Sequence, residues 1–531
     1  MTGAMGTGAT GTEAMGIWPD TIPHAAQAAA RRWPDETGLI EGDRRWTFAQ
    51  IWDDARASAS AFLASGIGRG DRVAIWAPNS REWILAALGA QSVGAAIVPL
   101  NTRFKGQEAA DIVRRSRAKI VFAPRTFLDT DYRALIAGED LPDLAEFLFL
   151  DSDWDSFVAR GRGKDDPAVD EALARLSGED ICDIIFTSGT TGRPKGVLTA
   201  HAQAVQIFGD WAVRVDLREG DRYLIVNPFF HTFGYKAGWA VCFTRGATIV
   251  PMAMFDVAET VRQIEVNRIS FLPGPPTIYQ SLLQELAGDK PRDFSSLRVA
   301  VTGAAPVAPT LVERMRRELG MSNIVNGYGM TECGAISMTR QGDDAETVAH
   351  SCGYPLPGIE ARCVDEQGND LPPGETGEIW IRGPAVMKGY LDDPQATAEA
   401  IDAEGWLHTG DVGTIDARGY LALTDRKKDM YISGGFNCYP AEIEKLLAAH
   451  PAIEMAGVIG IANERLGEVG KAFVVLRPGM QAEEADIIRW ARANMANYKV
   501  PRRVAILPAL PRNAAGKILR TALRELEEKT A

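Results

Sequence analysis

Long apolar runs are missing from this sequence. The longest, Ile84 to Leu100, is broken by Gln91 and Ser92 and carries Gly and Pro. A spanning helix needs about 20 apolar residues, so the run reads as a buried helix and strand, and stable membrane insertion is excluded. Cysteine is sparse: the six (Cys182, Cys242, Cys333, Cys352, Cys363, Cys438) are scattered, with no pair at metal-ligand spacing. That excludes a disulfide framework and fits a reduced, cytoplasmic protein. Positive charge is in deficit, 57 Lys and Arg against 70 Asp and Glu, for a net −13. A nucleic-acid-coating protein is thereby excluded. The opening "MTGAMGTGATGTEAMG" has neither a basic end nor an apolar core. Residues 1–16 are expected to be a disordered tail, not a secretory signal. No fixed-period repeat is present.

What is there is a long chain with two characters. At 531 residues it exceeds one core and should form two or more domains. "RVAIWAP" (Arg72 to Pro78), Ala96 to Leu100 and "KIVFA" (Lys119 to Ala123) read as buried strands. Helical patterns at Arg81 to Ala90 and "QEAADIVRRSRA" separate them. Repeated βα units predict a layered α/β fold with a largely parallel sheet. From about Ser351 short strands and tight turns take over, as in "LPPGETGEIWIRGP". The charged run "TDRKKDM" (Thr424 to Met430) then precedes a smaller α+β unit, with helices near Ala441 to Ala449 and Asp486 to Met495.

The chemistry concentrates in polar, glycine-rich interruptions. "TSGTTGRPKG" (Thr187 to Gly196) follows the apolar strand "DICDIIF". Backbone N–H groups, hydroxyls and a lysine after a strand make a cradle for phosphate oxygens. Its glycine spacing and Lys-Gly ending set it apart from a Walker loop. "TGAAP" (Thr302 to Pro306) follows the strand "LRVAV", so small residues stand at a strand's carboxyl end, where open sheets bind ligands. "NGYGMTE" (Asn326 to Glu332), "GWLHTGD" ending in Asp411 and "PRNAAGK" ending in Lys517 complete the set.

In this order and spacing the motifs resemble the adenylate-forming superfamily of acyl-CoA synthetases, luciferases and peptide-synthetase adenylation domains, over about Pro23 to Leu526. The resemblance implies a large N-terminal domain of layered α/β subdomains plus a β-rich one (17–425) and a small mobile lid (426–531), with a hinge at Lys428. It implies that Thr187, Ser188, Gly189, Thr190, Thr191, Gly192 and Lys195 wrap the outer phosphates of ATP. Thr187 and Glu332 would hold Mg²⁺, a hard ion that prefers oxygen ligands. Gly303 and Asn326, Gly327 and Tyr328 would line the adenine site, with Thr331 near the α-phosphate, and Asp411 and Arg426 would take the ribose. Lys517 would be the catalytic cation, placed where charge grows as a carboxylate attacks the α-phosphorus. After the lid turns, Gly434 and Gly435 would let the pantetheine arm of coenzyme A pass close to the backbone.

The resemblance also implies that "NPFFHTFGYKAG" (Asn227 to Gly238) walls the acid site. His231, one of six histidines, would gate the two half-reactions, though a neutral core histidine is the alternative. Phe230, Tyr235, Lys236, Gly303 and Ala304 would contact the acid. With "LPGPPTIYQSLL" and "DMYISGGFNCYPAEIE", this segment is most similar to actinobacterial steroid-catabolism ligases, which activate the propanoate of a bicyclic hydrindane. A medium-chain or aryl acid stays open. So do a protein that loads a carrier protein and a luciferase-like oxygenase. The expected partners are small molecules, namely the acid, ATP and coenzyme A, and a homo-oligomer is compatible.

Overall fold

A computed structural model describes residues 9–10, 16–187, 194–303, 307–426, 429–433, 436–463, 466–495, 498–512 and 517–529. Two large sheets form its body. The first has seven strands, in the order Gly389–Tyr390, Lys195–Ala200, Ile181–Thr187, Ala96–Pro99, Arg72–Ile75, Ile120–Ala123, Glu146–Phe149. Its last five strands run parallel, whereas Ile181–Thr187 pairs antiparallel with Lys195–Ala200. The second has nine strands, and its centre, from Asn323–Met330 through Val299–Gly303, Phe271–Pro273 and Arg222–Ile225, is parallel.

Parallel strands buried on both faces read as continuous apolar runs, as Ile120–Ala123 and Ala96–Pro99 do. One core joins the two sheets. Val73, Ile97 and Ile185 of the first sheet and Tyr223, Val299 and Val325 of the second belong to it. So do Trp83 and Leu88 of the helix Arg81–Ser92, which starts at an N-cap where Ser80 accepts from the Trp83 amide at 3.2 Å. The expected buried helix and strand within Ile84 to Leu100 are both present.

A five-stranded sheet carries the β-rich character. Glu360–Val364, Gly377–Arg382, Leu407–Ile415 and Leu421–Arg426 pair antiparallel in sequence order. Arg426 ends the last of these strands, one residue past the boundary expected at 425. The expected hinge, Lys428, lies outside the described residues. The expected tail is partly tied down. Ala9 and Thr10 pair with Ala361 and Glu360 on the edge of this sheet, and the Gly16 amide donates to Asp210 at 2.8 Å. An edge strand offers unpaired backbone groups that such a segment satisfies.

The C-terminal unit has its own core. Ile443 and Leu447 of the helix Pro440–Leu447, Ile487 of the helix Glu484–Asn494, and Val458 and Val474 of a long hairpin cluster together. A separate core is what a domain that moves as a body requires. Among the described residues no helix is long and apolar enough to cross a membrane.

His201 opens the helix His201–Arg214 directly after the strand Lys195–Ala200. It is buried, its Nδ1 accepts from the Ile22 amide at 3.3 Å, and burial pulls its pKa down to about 3. The unfolded chain, with an ordinary imidazole near pH 6.5, takes up a proton that the folded chain refuses. Stability is therefore full above that pH and falls as the pH drops towards 3. From pH 7 to pH 5 this one group should remove about 2 kcal/mol. In His201→Asn, which keeps an acceptor for Ile22, urea unfolding at the two pH values should show that much less acid sensitivity. An unchanged pH slope would refute the assignment.

Candidate active site

The phosphate-loop ends are set by an antiparallel pair. Thr187 stands opposite Lys195 in register, and its hydroxyl donates to the Lys195 carbonyl at 3.4 Å. Ser188, Gly189, Thr190, Thr191 and Gly192 lie outside the described residues. The Lys195 ammonium lies 4.9 Å from the centre of the Tyr390 ring, and the Tyr390 hydroxyl donates to Glu332 Oε1 at 3.1 Å. Burial, then the Glu332 charge, pushes the Tyr390 pKa up, so this phenol stays a donor. One tyrosine thus links the loop lysine to the expected metal carboxylate. The Glu332 carboxylate and Thr187 hydroxyl are hard oxygen donors and fit Mg²⁺.

Arg115, on the helix Gly106–Ser116, grips the loop's base. It donates to the Pro194 carbonyl at 2.6 Å, and its guanidinium lies 5.1 Å from the centre of the Phe186 ring. The sequence reading saw only a helix here. An arginine on a helix face gives no sign of what the fold brings beneath it.

The expected nucleotide residues gather across sheets. Gly303 and Gly327 are register partners on adjacent parallel strands. A Cβ on Gly327 would lie 2.0 Å from Met338 Sδ, so a larger residue there requires the Met338 side chain to move. Asn326 is held by its side chain, which donates to the Ser351 carbonyl at 2.9 Å. Thr331 is half-buried in the turn after the strand Asn323–Met330. Tyr328 was expected in the adenine wall, and the structure shows what its hydroxyl does: it donates to Asp411 Oδ2 at 2.5 Å. Burial, then the Asp411 charge, raises its pKa. A carboxylate has lone pairs for several donors, so Asp411 can accept from Tyr328 and from a ribose. Arg426 stands opposite Asp411 in backbone register.

The wall segment is tightly folded. Asn79 donates to the Asn227 carbonyl at 2.9 Å and accepts from the Phe229 amide at 2.7 Å. A Cβ on Gly234 would meet the Pro228 carbonyl oxygen at 2.2 Å, so the turn closes only over glycine. Phe229 is buried edge-on against Trp83, at 5.4 Å between ring centres. Phe230 and Phe233 are half-buried and His231 is exposed. The protein crowded round His231 still lowers its imidazole pKa, and its exposure sets it apart from a core histidine.

Two expected acid contacts need correction. Tyr235 is fully buried, stacked on Trp239 at 5.1 Å between ring centres, and its hydroxyl accepts from Gln91 at 2.6 Å. Lys236 is buried in an ion pair with Asp183 at 3.0 Å. Both side chains are taken up by protein partners in the core. Their expected fellow contact Ala304 lies outside the described residues, as do Gly434 and Gly435. Lys517 is exposed, directly before Ile518, which bridges to Arg512, and three residues ahead of the helix Arg520–Glu528.

Residues 26–391 match the AMP-binding enzyme family, and residues 442–517 match the AMP-binding enzyme C-terminal domain. The chain belongs to the AMP-binding enzyme family. It is 49% identical, over 95% of its length and 99% of the relative's, to the 3-[(3aS,4S,7aS)-7a-methyl-1,5-dioxo-octahydro-1H-inden-4-yl]propanoyl:CoA ligase of Mycobacterium tuberculosis H37Rv. The Rhodococcus jostii RHA1 ligase of the same name is 46% identical, over 96% of this chain and 99% of its own. Among solved structures, an anthranilate CoA ligase in complex with anthranoyl-AMP superposes with a TM-score of 0.85. It is 27% identical, over 96% of this chain and 98% of its own.

If Tyr328 orients Asp411 for the ribose, Tyr328→Phe should weaken AMP about tenfold, the loss of a hydrogen bond to a charged group at about 1.4 kcal/mol. Calorimetric titration with AMP measures it, and unchanged affinity in a folded variant would contradict this role.

Proposed function

We propose that this acyl-CoA ligase of the AMP-binding family acts on the propanoate side chain of a bicyclic hydrindane. Acid, ATP and coenzyme A would give acyl-CoA, AMP and pyrophosphate. The observation that carries the reading is the near full-length kinship, at 49% and 46% identity, with two ligases named for that acid. The wall segment supports it: Phe230, His231 and Phe233 are the members of "FFHTF" that stay open to solvent. Rigid aromatic faces suit a rigid ring acid, which loses little conformational freedom on binding, whereas each frozen rotor of a chain costs about 0.5 kcal/mol or more.

In this reading the acid carboxylate attacks the α-phosphorus, and pyrophosphate leaves from beneath Lys195 and Thr187. Magnesium, held by Glu332 and Thr187, would neutralise charge on the phosphates. Asp411, oriented by Tyr328, fixes the ribose. Lys517 stabilises the charge that grows in the transition state, where a fixed cation does most for the rate. The lid then turns at Lys428, removes Lys517 and brings up Gly434 and Gly435, past which the thiol of coenzyme A reaches the acyl carbon and releases AMP. The six free thiols suit the cytoplasm.

Two experiments test this. The kcat/KM for the hydrindane propanoate should exceed that for octanoate, decanoate and a cinnamate by at least about a hundredfold, equivalent to about 2.8 kcal/mol of transition-state binding. Parity with any of the three overturns the substrate assignment and leaves the ligase assignment standing. Lys517→Ala should cut adenylation by several kcal/mol, about the effect of losing a preorganised donor, and spare thioester formation from preformed adenylate. An equal fall in both half-reactions would refute the two-position lid.

A further inference from the structure

We infer that Lys236 is a positioning residue that holds the acid-binding segment in register with the phosphate hairpin. The inference rests on the ligase reading and adds to it a residue that touches neither substrate.

Lys236 lies within the wall segment, in the π-helical turn Tyr235–Ala240, where Gly238 leaves helical geometry at φ −95° and ψ −109°. Single π-turns of this kind concentrate at functional sites. The Lys236 side chain is 2% exposed, and its ammonium lies 3.0 Å from Asp183 Oδ2, itself fully buried. The same ammonium donates to Thr199 Oγ1 at 3.0 Å. Asp183 and Thr199 are cross-strand partners in the hairpin that ends at Thr187 and Lys195.

Alternation along a strand puts Asp183 on the face of Thr187, and Thr199 on the face of Lys195. One lysine therefore fastens both strands of the hairpin below the two residues that bound the phosphate loop. It does so from the second sheet's side of the core, because the wall segment follows the strand Arg222–Ile225 of that sheet. Asn79 makes the reverse connection: it follows the strand Arg72–Ile75 of the first sheet and bonds the carbonyls of Ile225 and Asn227. Two polar tethers cross between the sheet that carries the phosphate loop and the sheet that carries the acid wall.

Stability alone does not account for the pair. A buried ion pair loses hydration that its attraction barely offsets, and apolar residues of similar volume commonly serve stability as well or better. Here the balance is poorer still, because Asp183 Oδ1 has no hydrogen-bond partner among the described residues. What an ammonium bonded to two adjacent strands supplies is direction. An apolar contact slides, whereas this one fixes the wall against the hairpin along and across the strands. Adenylation needs that registry, since the carboxylate must meet the α-phosphorus, and a misplacement of about 1 Å costs on the order of a hundredfold in rate. Thioester formation does not, because acid and phosphate are by then one molecule.

The test is the double variant Lys236→Met/Asp183→Val, which leaves no buried charge, beside the conservative Thr199→Val. Each is measured by thermal melting, by ATP–pyrophosphate exchange with the acid, and by thioester formation from preformed adenylate. The double variant should melt at or above the wild type. Its kcat for exchange should fall at least tenfold, with KM for ATP and thioester formation within about threefold of the wild type. Thr199→Val should lower exchange kcat about threefold without a change in melting. A folded double variant with wild-type exchange, or one that loses both half-reactions equally, overturns the inference. If the double variant fails to fold, unchanged exchange in Thr199→Val overturns it alone. A wild-type protein with no acid-dependent exchange refutes the ligase reading instead.

Discussion

An antiparallel strand pair at the end of a parallel series is the constraint on which the site depends. Parallel strands connect through long crossovers, so their ends cannot hold two side chains opposite each other across a short loop. The hairpin formed by Ile181–Thr187 and Lys195–Ala200 does this, with Thr187 facing Lys195. Its register is fixed on one face by Ile184 and Phe186, packed in the outer core against the helix that carries Arg115, and on the other by Asp183 and Ile185. A one-residue slip would send the apolar set to the wrong face and turn the loop ends away from each other. The loop can be almost wholly polar because the strands beneath it carry the packing.

From that hairpin the site is assembled by contacts between sheets, each made by a buried or half-buried polar group with a defined partner. Tyr390, on the first sheet's edge, reaches Glu332 beyond the end of a strand of the second. Tyr328 of the second sheet reaches Asp411 of the β-rich sheet. Asn79 and Lys236 cross the core between the two large sheets. Apolar packing brings these layers together, but it is tolerant of small slides. Hydrogen bonds in a low-dielectric interior are not, because an unmade one there costs about 1–3 kcal/mol.

Much of this was legible in the sequence. Apolar runs with β-branched residues marked the parallel strands, and a switch to short strands and turns marked the β-rich sheet, because both signals are local. The glycine, hydroxyl and lysine loop pointed to phosphate for the same reason, a reading in keeping with membership of the AMP-binding family. Tyr235 and Lys236 were misread because proximity in sequence to Phe230 and His231 says nothing of which way a π-turn aims its side chains. A lysine next to an acid-binding wall reads as a ligand for the acid. Only the fold brings Asp183, more than fifty residues earlier, within 3.0 Å of it. Arg115 and Asn79 were missed for the converse reason: their partners are remote, and nothing local distinguishes them from a solvated arginine and a turn asparagine.

The C-terminal unit has the means to place a moving cation accurately, if the proposed lid motion holds. In the proposed two-position lid, rotation at Lys428 must reach Lys517, across a long stretch of chain. Asp429, the first described residue past the hinge, pairs with Arg520 at 3.1 Å, and Arg520 also pairs with Glu444 at 2.9 Å. Arg520 begins the helix that follows Lys517, and Glu444 lies on the helix Pro440–Leu447. The three are largely buried, so their attraction is little screened by salt. Torque at the proposed hinge would thus pass through one ion-paired cluster to the segment that carries Lys517, without relying on the intervening loops. A flexible link at that point would spread Lys517 over several positions, and a charge so spread stabilises a transition state poorly. In that proposal a turn at Lys428 serves catalysis only because Asp429 and its partners have so little freedom of their own.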